Sequence, residues 1–487
     1  MQDLNKALFL CHRDGLSNAG TTKFIFDDMI DFFSNKNIEP HCVITGLKPN
    51  TSHQYNFIPD RVTHRESFLK ANFSKCKVDS RLYQDIVVKL MSDSDFILIF
   101  ERNNPFSSTK GFFNQLPMLE RLISNIIGFY EDLGPKYVFS FAVPHHFINY
   151  CLLRVAELMD IKVYFCDIGA FPWQYQLYEG LFERKRIRNT AQSEDSQHRV
   201  KEWFDNQNRD YRKSTESYDE SGGLGVLHGK SSSILGRFAL ISTLYKENKK
   251  SGHTIYRNFK KVIKAQALKF YSNRLKKNIV QRPSVDLNMH PYIIFFMHFQ
   301  PEATTMPNGS HYANQLFAIR ELSLAAPSGW KILVREHPFT FENEFSPRYR
   351  NIELYEAINE IEGAQLMSLE YDPYILIDKS QVVATLTGTV GFQAICRGRP
   401  VIAFGRAAYK GVHGVVSPDH DFDLKQYLHK INNSSIAVDQ KIVLNSLYEL
   451  EQEGFGNLMD NESPYNLDCR DRALKTAFQF WLEEVIN

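Results

Sequence analysis

The chain has 487 residues, 43% of them hydrophobic and 13% aromatic, with 57 Lys and Arg set against 56 Asp and Glu. A chain of this length buries large cores and divides into at least two domains. The net charge of +1 argues against a nucleic-acid binder, in which a basic face dominates the balance, so any charge preference has to be local.

The start, MQDLNKALFLCHRDG, lacks the apolar core and small-residue cleavage site of a secretion signal. No apolar run reaches the roughly 18 residues that span a bilayer, and a cytoplasmic protein is expected. The seven cysteines, Cys11, Cys42, Cys76, Cys151, Cys166, Cys396 and Cys469, form no CxxC pair. That spacing speaks against a disulfide framework or zinc knuckle and for reduced thiols acting as small hydrophobes.

In chain order, ALFLC, HCVIT, DFILIFE, YVFSF and KVYFCDIG read as buried strands, interleaved with helices over FIFDDMIDFF, Leu116 to Leu133 and Phe147 to Met159. Strands alternating with helices of this length predict βαβ units and a mostly parallel sheet, one doubly wound domain over residues 1–185. Residues 186–290 differ, with a long polar run leading into the basic helical stretch FKKVIKAQALKFYSNRLKKNIVQR, and read as a helical linker or insertion. Within it GGLGVLHGKSS has the look of a phosphate-binding loop. Leu224 stands where the first glycine is needed and no strand precedes it, so it reads as a flexible linker. The βαβ rhythm resumes over 291–465, and a helix over 466–487, with ALKTAFQFWLEEVI, crosses back. The fold class is α/β, with two Rossmann-type domains facing a cleft.

The informative part is Tyr292 to Tyr409, where IIFFMHFQPEATT, KILVREHP, VVATLTGTVGFQAICRG and PVIAFGRAAY place polar residues at the ends of four apolar strands. Ligands of open α/β sheets bind outside the carboxyl ends of the strands, so these segments point to one shared site. Thr387, Gly388, Thr389 and Gly391 read as a tight turn into a helix whose free N–H groups suit an anion, with an ordinary helix cap as the plain alternative. Arg335, His337 and Pro338 end the next strand. A histidine there can donate to a phosphate or protonate a leaving group, or simply satisfy a backbone carbonyl. Glu302, Thr304 and Thr305 offer groups for ribose hydroxyls. Arg406, Tyr409, Lys410 and His413 lie in a Gly-bounded loop that could close over a ligand.

In the first domain the same rule selects Asp14 and Gly15, Glu101 and Arg102 after DFILIFE, His145 and His146 after YVFSFAVP, and Asp167 after KVYFC. Gly169 bends the chain after Asp167. A carboxylate there can serve as nucleophile or base, with Glu101 as its proton-transfer partner, or can be a cap. DSD at Asp93 reads as a cap rather than a metal pair.

The PEATT segment, the HP pair in REHP and TGTVGFQAICRGRPVIAFG resemble those of bacterial capsule and surface-polysaccharide glycosyltransferases, a group that includes CMP-sugar-dependent transferases of Kdo and of nonulosonic acids such as pseudaminic acid. The resemblance implies a GT-B-like fold, a CMP site in the second domain, His337 and Pro338 at the CMP phosphate, and Thr387 and Thr389 as a paired hydroxyl motif. It implies that Asp167 matches the nucleophilic carboxylate of retaining enzymes, although Ile168 and the PWQ that follows depart from the group's pattern. The partners implied are a CMP-activated donor and a glycan or lipid-linked acceptor at the inner membrane, with no nucleic acid. A single phosphate leaving group can be stabilised by His, Arg and a helix N-terminus, so no cofactor or metal is expected. The rivals are a UDP-sugar transferase or epimerase in the same frame, and a non-catalytic module of polysaccharide assembly. The basic stretch from Lys260 to Lys277 could rest on an anionic membrane or be a solvated helical face.

Overall fold

The computed structural model describes residues 5–11, 38–44, 62–64, 67–70, 79–102, 115–144, 146–189, 196–207, 270–277, 279, 285–341, 349–418, 421–434, 436–456 and 467–485. Asp14, Gly15, FIFDDMIDFF, His145, the glycine-rich linker and the front of the basic stretch lie outside them. The chain forms two compact units, one of Met1–Val200, Met306–Ala313 and Leu444–Asn487, the other of Lys201–Thr305 and Asn314–Val443.

The first unit is built on strands β1 (Asn5–Cys11), β2 (Ile38–Ile44), β3 (Val62–His64), β4 (Tyr137–Ser140), β5 (Lys162–Ile168), β6 (Gln174–Glu179) and β7 (Lys185–Ile187). The order β3-β2-β1-β4-β5 is parallel throughout, after which β6 returns antiparallel, β7 pairs with it, and the short strand Phe455–Gly456 closes the edge. Helices Leu116–Leu133 and Phe147–Leu158 pack one face around Leu122, Ile126, Leu152 and Val155. The other face is covered by the C-terminal helix Leu467–Phe480 and the turn after it. Phe478 and Trp481 lie against Phe9 and Phe139 with ring centroids 4.7–5.6 Å apart for three of the four pairs and 6.1 Å for Phe9 with Trp481. Such aromatic pairs add roughly 0.5–1.5 kcal/mol each beyond area burial.

DFILIFE is not a strand. It lies in the helix Ser94–Arg102, which buries Phe96, Ile99 and Phe100. Asp93 caps this helix, its Oδ1 accepting from the backbone N–H groups of Asp95 at 2.9 Å and Phe96 at 3.3 Å. Tyr150 and Arg154 bind the other oxygen, at 2.8 and 3.1 Å. A short apolar run does not choose between strand and buried helix, and here the anchored cap selects the helix. Asp93 is thus a cap, as expected, but of a helix.

The second unit carries β8 (Tyr292–Phe296), β9 (Lys331–Arg335), β10 (Ala364–Leu366), β11 (Val382–Thr385), β12 (Val401–Ala403) and β13 (Val415–Val416), all parallel, in the order β10-β9-β8-β11-β12-β13. The central strands read as unbroken apolar runs because both faces are covered, and Tyr292 to Phe295 are buried to a residue. The α/β class expected from the sequence is the one observed, in two Rossmann-type sheets. Counted from its own first strand, the second sheet runs 3-2-1-4-5-6. The order in which its strands are added reverses between β8 and β11, the switch point at which such sheets bind ligands.

Candidate functional site

The carboxyl ends of β9, β8 and β11, neighbours in the second sheet, bring together much of what the sequence singled out. After β8, the buried ring of His298 reaches across the switch point. Its Nε2 accepts from the backbone N–H of Thr387 at 3.1 Å and lies 3.0 Å from the Thr385 hydroxyl. An Nε2 that accepts leaves the proton on Nδ1, and the ring stays neutral. Burial first, then the charges of His337 and Arg350, push its pKa down to about 3. The Thr387 hydroxyl donates to the carbonyl of Thr304 at 3.0 Å, closing the PEATT loop onto the turn after β11. Within that loop the Thr304 hydroxyl donates to the exposed Glu302 carboxylate at 2.6 Å, and the buried Thr305 hydroxyl donates to the Glu302 carbonyl.

The helix that follows begins at Thr389, with Gly388 in the cap position and no side-chain cap, and runs to Cys396. Thr389 is therefore the first helical residue rather than the cap, and its side chain is exposed. A first turn with no side-chain acceptor keeps its N–H groups available to an anion. Gly388 is required by close approach, because a Cβ there would lie 3.0 Å from both His298 Nε2 and the Thr385 hydroxyl. At Gly391 the obstacle is the phenol of Tyr409, which is buried and donates to the Gly388 carbonyl at 2.7 Å. Tyr409, expected in a closing loop, instead braces this turn from beneath.

After β9, Glu336 is fully buried and Arg350 nearly so, and they form a 2.6 Å ion pair. Glu336 also accepts from Tyr355 at 3.0 Å, Thr340 at 3.1 Å and the backbone N–H of His337 at 2.7 Å. Arg350 donates at 2.6 Å to both the Gln300 side chain and the His298 carbonyl. Gln315 completes the ties, accepting from the His298 N–H at 2.8 Å and donating to its carbonyl at 3.0 Å. The network fixes the backbone on which His337 stands. His337 Nδ1 accepts from the backbone N–H of Phe339 at 3.2 Å, which puts the ring proton on Nε2. Desolvation, opposed by Glu336, lowers its pKa even though the residue keeps an exposed face. At neutral pH it is an uncharged donor of fixed tautomer. Pro338 opens the short helical turn Pro338–Phe341. Arg335 is buried at the end of β9, one guanidinium nitrogen 3.4 Å from the Tyr371 carbonyl.

In the first unit, Asp167 lies near the end of β5. The pairing with β4 stops at Ser140 opposite Phe165, whereas the pairing with β6 runs on to Ile168. The stretch Cys166–Ile168 thus overhangs its parallel neighbour, as the crevice rule requires. Gly169 starts a hairpin, its N–H donating to the Gln174 carbonyl at 2.8 Å, and a Cβ on it would collide with the Gln174 side chain. Burial raises the Asp167 pKa to about 6, against the lowering effects of Arg184 and the Ile168 N–H. The side chain keeps 27% exposure, so a substrate covering it would raise the pKa further. A carboxyl poised near neutrality is suited to base or nucleophile work.

Glu101 and Arg102 sit in the last turn of the helix Ser94–Arg102, Glu101 exposed. Their selection as strand-end residues falls with the strand. His146 holds the cap position of the helix Phe147–Leu158 without making a side-chain capping bond to it. Arg406 lies half-buried in the turn after β12. Glu336 is placed by the sequence at the same strand end as Arg335 and His337, whereas His298, Arg350 and Tyr355 are not selected by it. His298 was accessible to the same carboxyl-end rule, in FMHFQ, but Arg350 and Tyr355 carry no local signal. Among the described residues no cluster of three or more His, Cys, Asp or Glu is placed to hold a metal, and no helix is long and apolar enough to cross a membrane.

Most of this constellation falls in one recognisable stretch. Residues 304–440 match the capsule polysaccharide biosynthesis protein family. The resemblance read from PEATT, REHP and the TGTV segment is borne out. No curated protein matches the chain in sequence. Among solved structures, the chain is similar to the β-Kdo 2,7 transferase of Thermosulfurimonas dismutans KpsC, at 9% identity over 96% of this chain and 98% of that one, with a TM-score of 0.32. It is similar to the β-Kdo 2,4 transferase of the same protein at 11% identity, over 65% and 88% of the two chains, TM-score 0.26. A UDP-GlcNAc 2-epimerase from Methanocaldococcus jannaschii stands at 10% identity, over 98% and 99%, TM-score 0.21. The fold assignment rests on the strand orders themselves.

Proposed function

We propose that this protein is a glycosyltransferase of capsule or surface-polysaccharide synthesis that moves a 3-deoxy-ulosonic sugar, Kdo or a nonulosonic acid such as pseudaminic acid, from its CMP donor to a glycan acceptor. The observation that carries the reading is the switch-point constellation of the second unit. His298 bonded to Thr387, the uncapped helix at Thr389 and the Nε2–H of His337 together form a neutral, donor-rich surface suited to a single phosphate. Glu302 and Thr304 meet the ribose, and Arg406 adds charge at the rim. Departure of a monophosphate needs no metal in this scheme, because donors and a helix N-terminus accept the charge that develops.

Asp167 supplies the carboxylate. In the first step its oxygen bonds to the anomeric carbon while the bond from that carbon to the phosphate oxygen breaks, the electron pair leaving with CMP. In the second, the acceptor hydroxyl displaces Asp167 and gives its proton to a base, the role proposed for Glu101. The configuration is retained.

Turnover of CMP-Kdo, CMP-pseudaminic acid, CMP-legionaminic acid and CMP-sialic acid tests the donor, and calorimetric titration of CMP against UDP tests the nucleotide. Tighter binding of UDP favours the UDP-sugar rival. Absence of any turnover leaves only an assembly module. A product of inverted anomeric configuration by NMR reassigns Asp167 to base. Excess EDTA should leave the rate unchanged. The lipid-linked acceptor reading places residues 260–277 at the inner membrane surface. Phe270, 74% exposed, is available there, and failure to sediment with anionic vesicles removes that part.

A further inference from the structure

Arg184, in the turn between β6 and β7, is placed with more care than a surface arginine needs. Its side chain is only 10% exposed and its Nη1 stands 3.8 Å from Asp167 Oδ2. Nη2 donates to the buried side chain of Asn308 at 3.0 Å, and the guanidinium lies over the Phe165 ring at 5.2 Å. A charge-assisted hydrogen bond closes to about 2.7–2.9 Å. At 3.8 Å this pair is an ion pair only, and Asp167 Oδ1 takes its hydrogen bond from the Ile168 N–H at 2.8 Å instead. The ring and the amide thus hold the cation beside the reacting oxygen without locking the two together.

For an aldose donor this placement is adverse. The anomeric carbon of an aldose carries hydrogen and gains positive charge as the leaving group departs. A guanidinium held this close to the reacting oxygen opposes that developing charge. For a 2-ulosonic acid the same placement helps. Its anomeric carbon bears a carboxylate, which would repel the approaching Asp167 unless a cation stood between them, and the planar fork of arginine matches a carboxylate in two-point fashion.

We propose that Arg184 recognises the carboxylate carried on the anomeric carbon of the donor, and so makes the first unit selective for 2-ulosonic acids over aldoses. The inference rests on Asp167 being the carboxylate that meets the anomeric carbon, and it assigns a residue and a reason to the donor class. Arg184 is a specificity-determining residue. Asn308 positions it, and Phe165 keeps its plane.

The test compares the full-length chain with Arg184→Met and Arg184→Lys on CMP-Kdo, or whichever of the four CMP donors is turned over, and on the matching C1 carboxamide, in which the charge is removed. The parent should prefer the acid by roughly 100-fold. Arg184→Met should lose about that factor on the acid and little on the amide, erasing the preference, and Arg184→Lys should lie between them. The acid limb of the pH–rate profile should also move upward in Arg184→Met, because the guanidinium holds the Asp167 carboxyl down against burial. The other groups facing this carboxyl, Cys166 and Tyr178, are unchanged in the variants. Should Arg184→Met fail to fold by circular dichroism, Arg184→Lys and Asn308→Ala carry the same two-donor comparison. Equal losses on acid and amide, or a parent without preference, overturn the proposal. If the parent turns over no CMP donor, or Asp167→Ala keeps its rate, the underlying reading fails first and takes the inference with it.

Discussion

The two sheets begin alike and finish differently. Each runs outward from its first strand in the order 3-2-1-4-5, so each offers a crevice at the carboxyl ends of its central strands. In the second unit that edge ends in saturation. Glu336, Arg350, Gln300, Gln315 and the His298 carbonyl satisfy one another at 2.6–3.0 Å for the contacts that tie the strands, and what faces outward is a neutral donor on a locked backbone. In the first unit the edge ends in tension, a carboxyl raised to about 6 with its cation at 3.8 Å. A surface that only has to hold a leaving group can be fully satisfied before the ligand arrives. The nucleophile proposed for Asp167 has to form and break a bond, which suits a carboxylate left partly unsatisfied, since one tied into short hydrogen bonds would be a poor nucleophile.

This contrast breaks first at Asp167. Asp167→Ala should cut turnover roughly 10,000-fold with the melting curve intact, and a loss under tenfold in initial-rate assays would show that the tension serves no chemistry. On the saturated side, Glu336→Gln leaves the buried guanidinium of Arg350 without its counter-charge and should cost about 3–5 kcal/mol in denaturant titration; a cost below about 1 kcal/mol would mean that the network is not what secures the edge. His337→Ala should slow turnover by about 100-fold while leaving that stability unchanged, and a variant that loses stability instead would make the ring structural.

The smallest effect is on pH dependence, where the two edges should respond to acid with opposite sign. Asp167 has a folded pKa raised above its unfolded value, so the stability it contributes is present below about pH 4 and is lost as pH rises through about 6. Asp167→Asn should therefore gain on the order of 1 kcal/mol at pH 7 and nothing below pH 4. His298 has a depressed folded pKa, so its contribution is present above pH 6.5 and declines as pH falls toward about 3. Chemical denaturation of the two single variants, Asp167→Asn and His298→Asn, across this range should give slopes of opposite direction relative to the parent. Parallel curves would dissolve the contrast.

Much of the second unit was legible in the sequence because its signal is local. Four apolar β-branched runs, each followed by polar residues, give β8, β9, β11 and β12, and the crevice rule then selects Thr304, His337 and Thr387 without any knowledge of strand order. Arg350 was not legible. The partners that define its role, Glu336, Gln300 and His298, lie 14, 50 and 52 residues away, and nothing local distinguishes it from a surface arginine. In the first unit, DFILIFE misled because seven apolar-rich residues satisfy either period, and the decisive partners of Asp93, Tyr150 and Arg154, come from a later helix. The antiparallel return QYQLYE was not legible because its polar residues include two buried glutamines, Gln174, which donates to the Leu450 and Glu451 carbonyls, and Gln176, which donates to Gln174. Without that return, Asp167 reads as a strand end before a loop rather than as part of a hairpin.

The hairpin decides more than position. Ile168, the residue next in line, clasps one carboxyl oxygen of Asp167 with its own main-chain amide, so the side chain cannot swing to present either oxygen at will. Only Oδ2 is left to act, aimed by the backbone rather than by rotamer choice. In the proposed reaction the sugar has to be delivered to that single atom, and a substrate whose ring sits slightly askew gains nothing from side-chain adjustment.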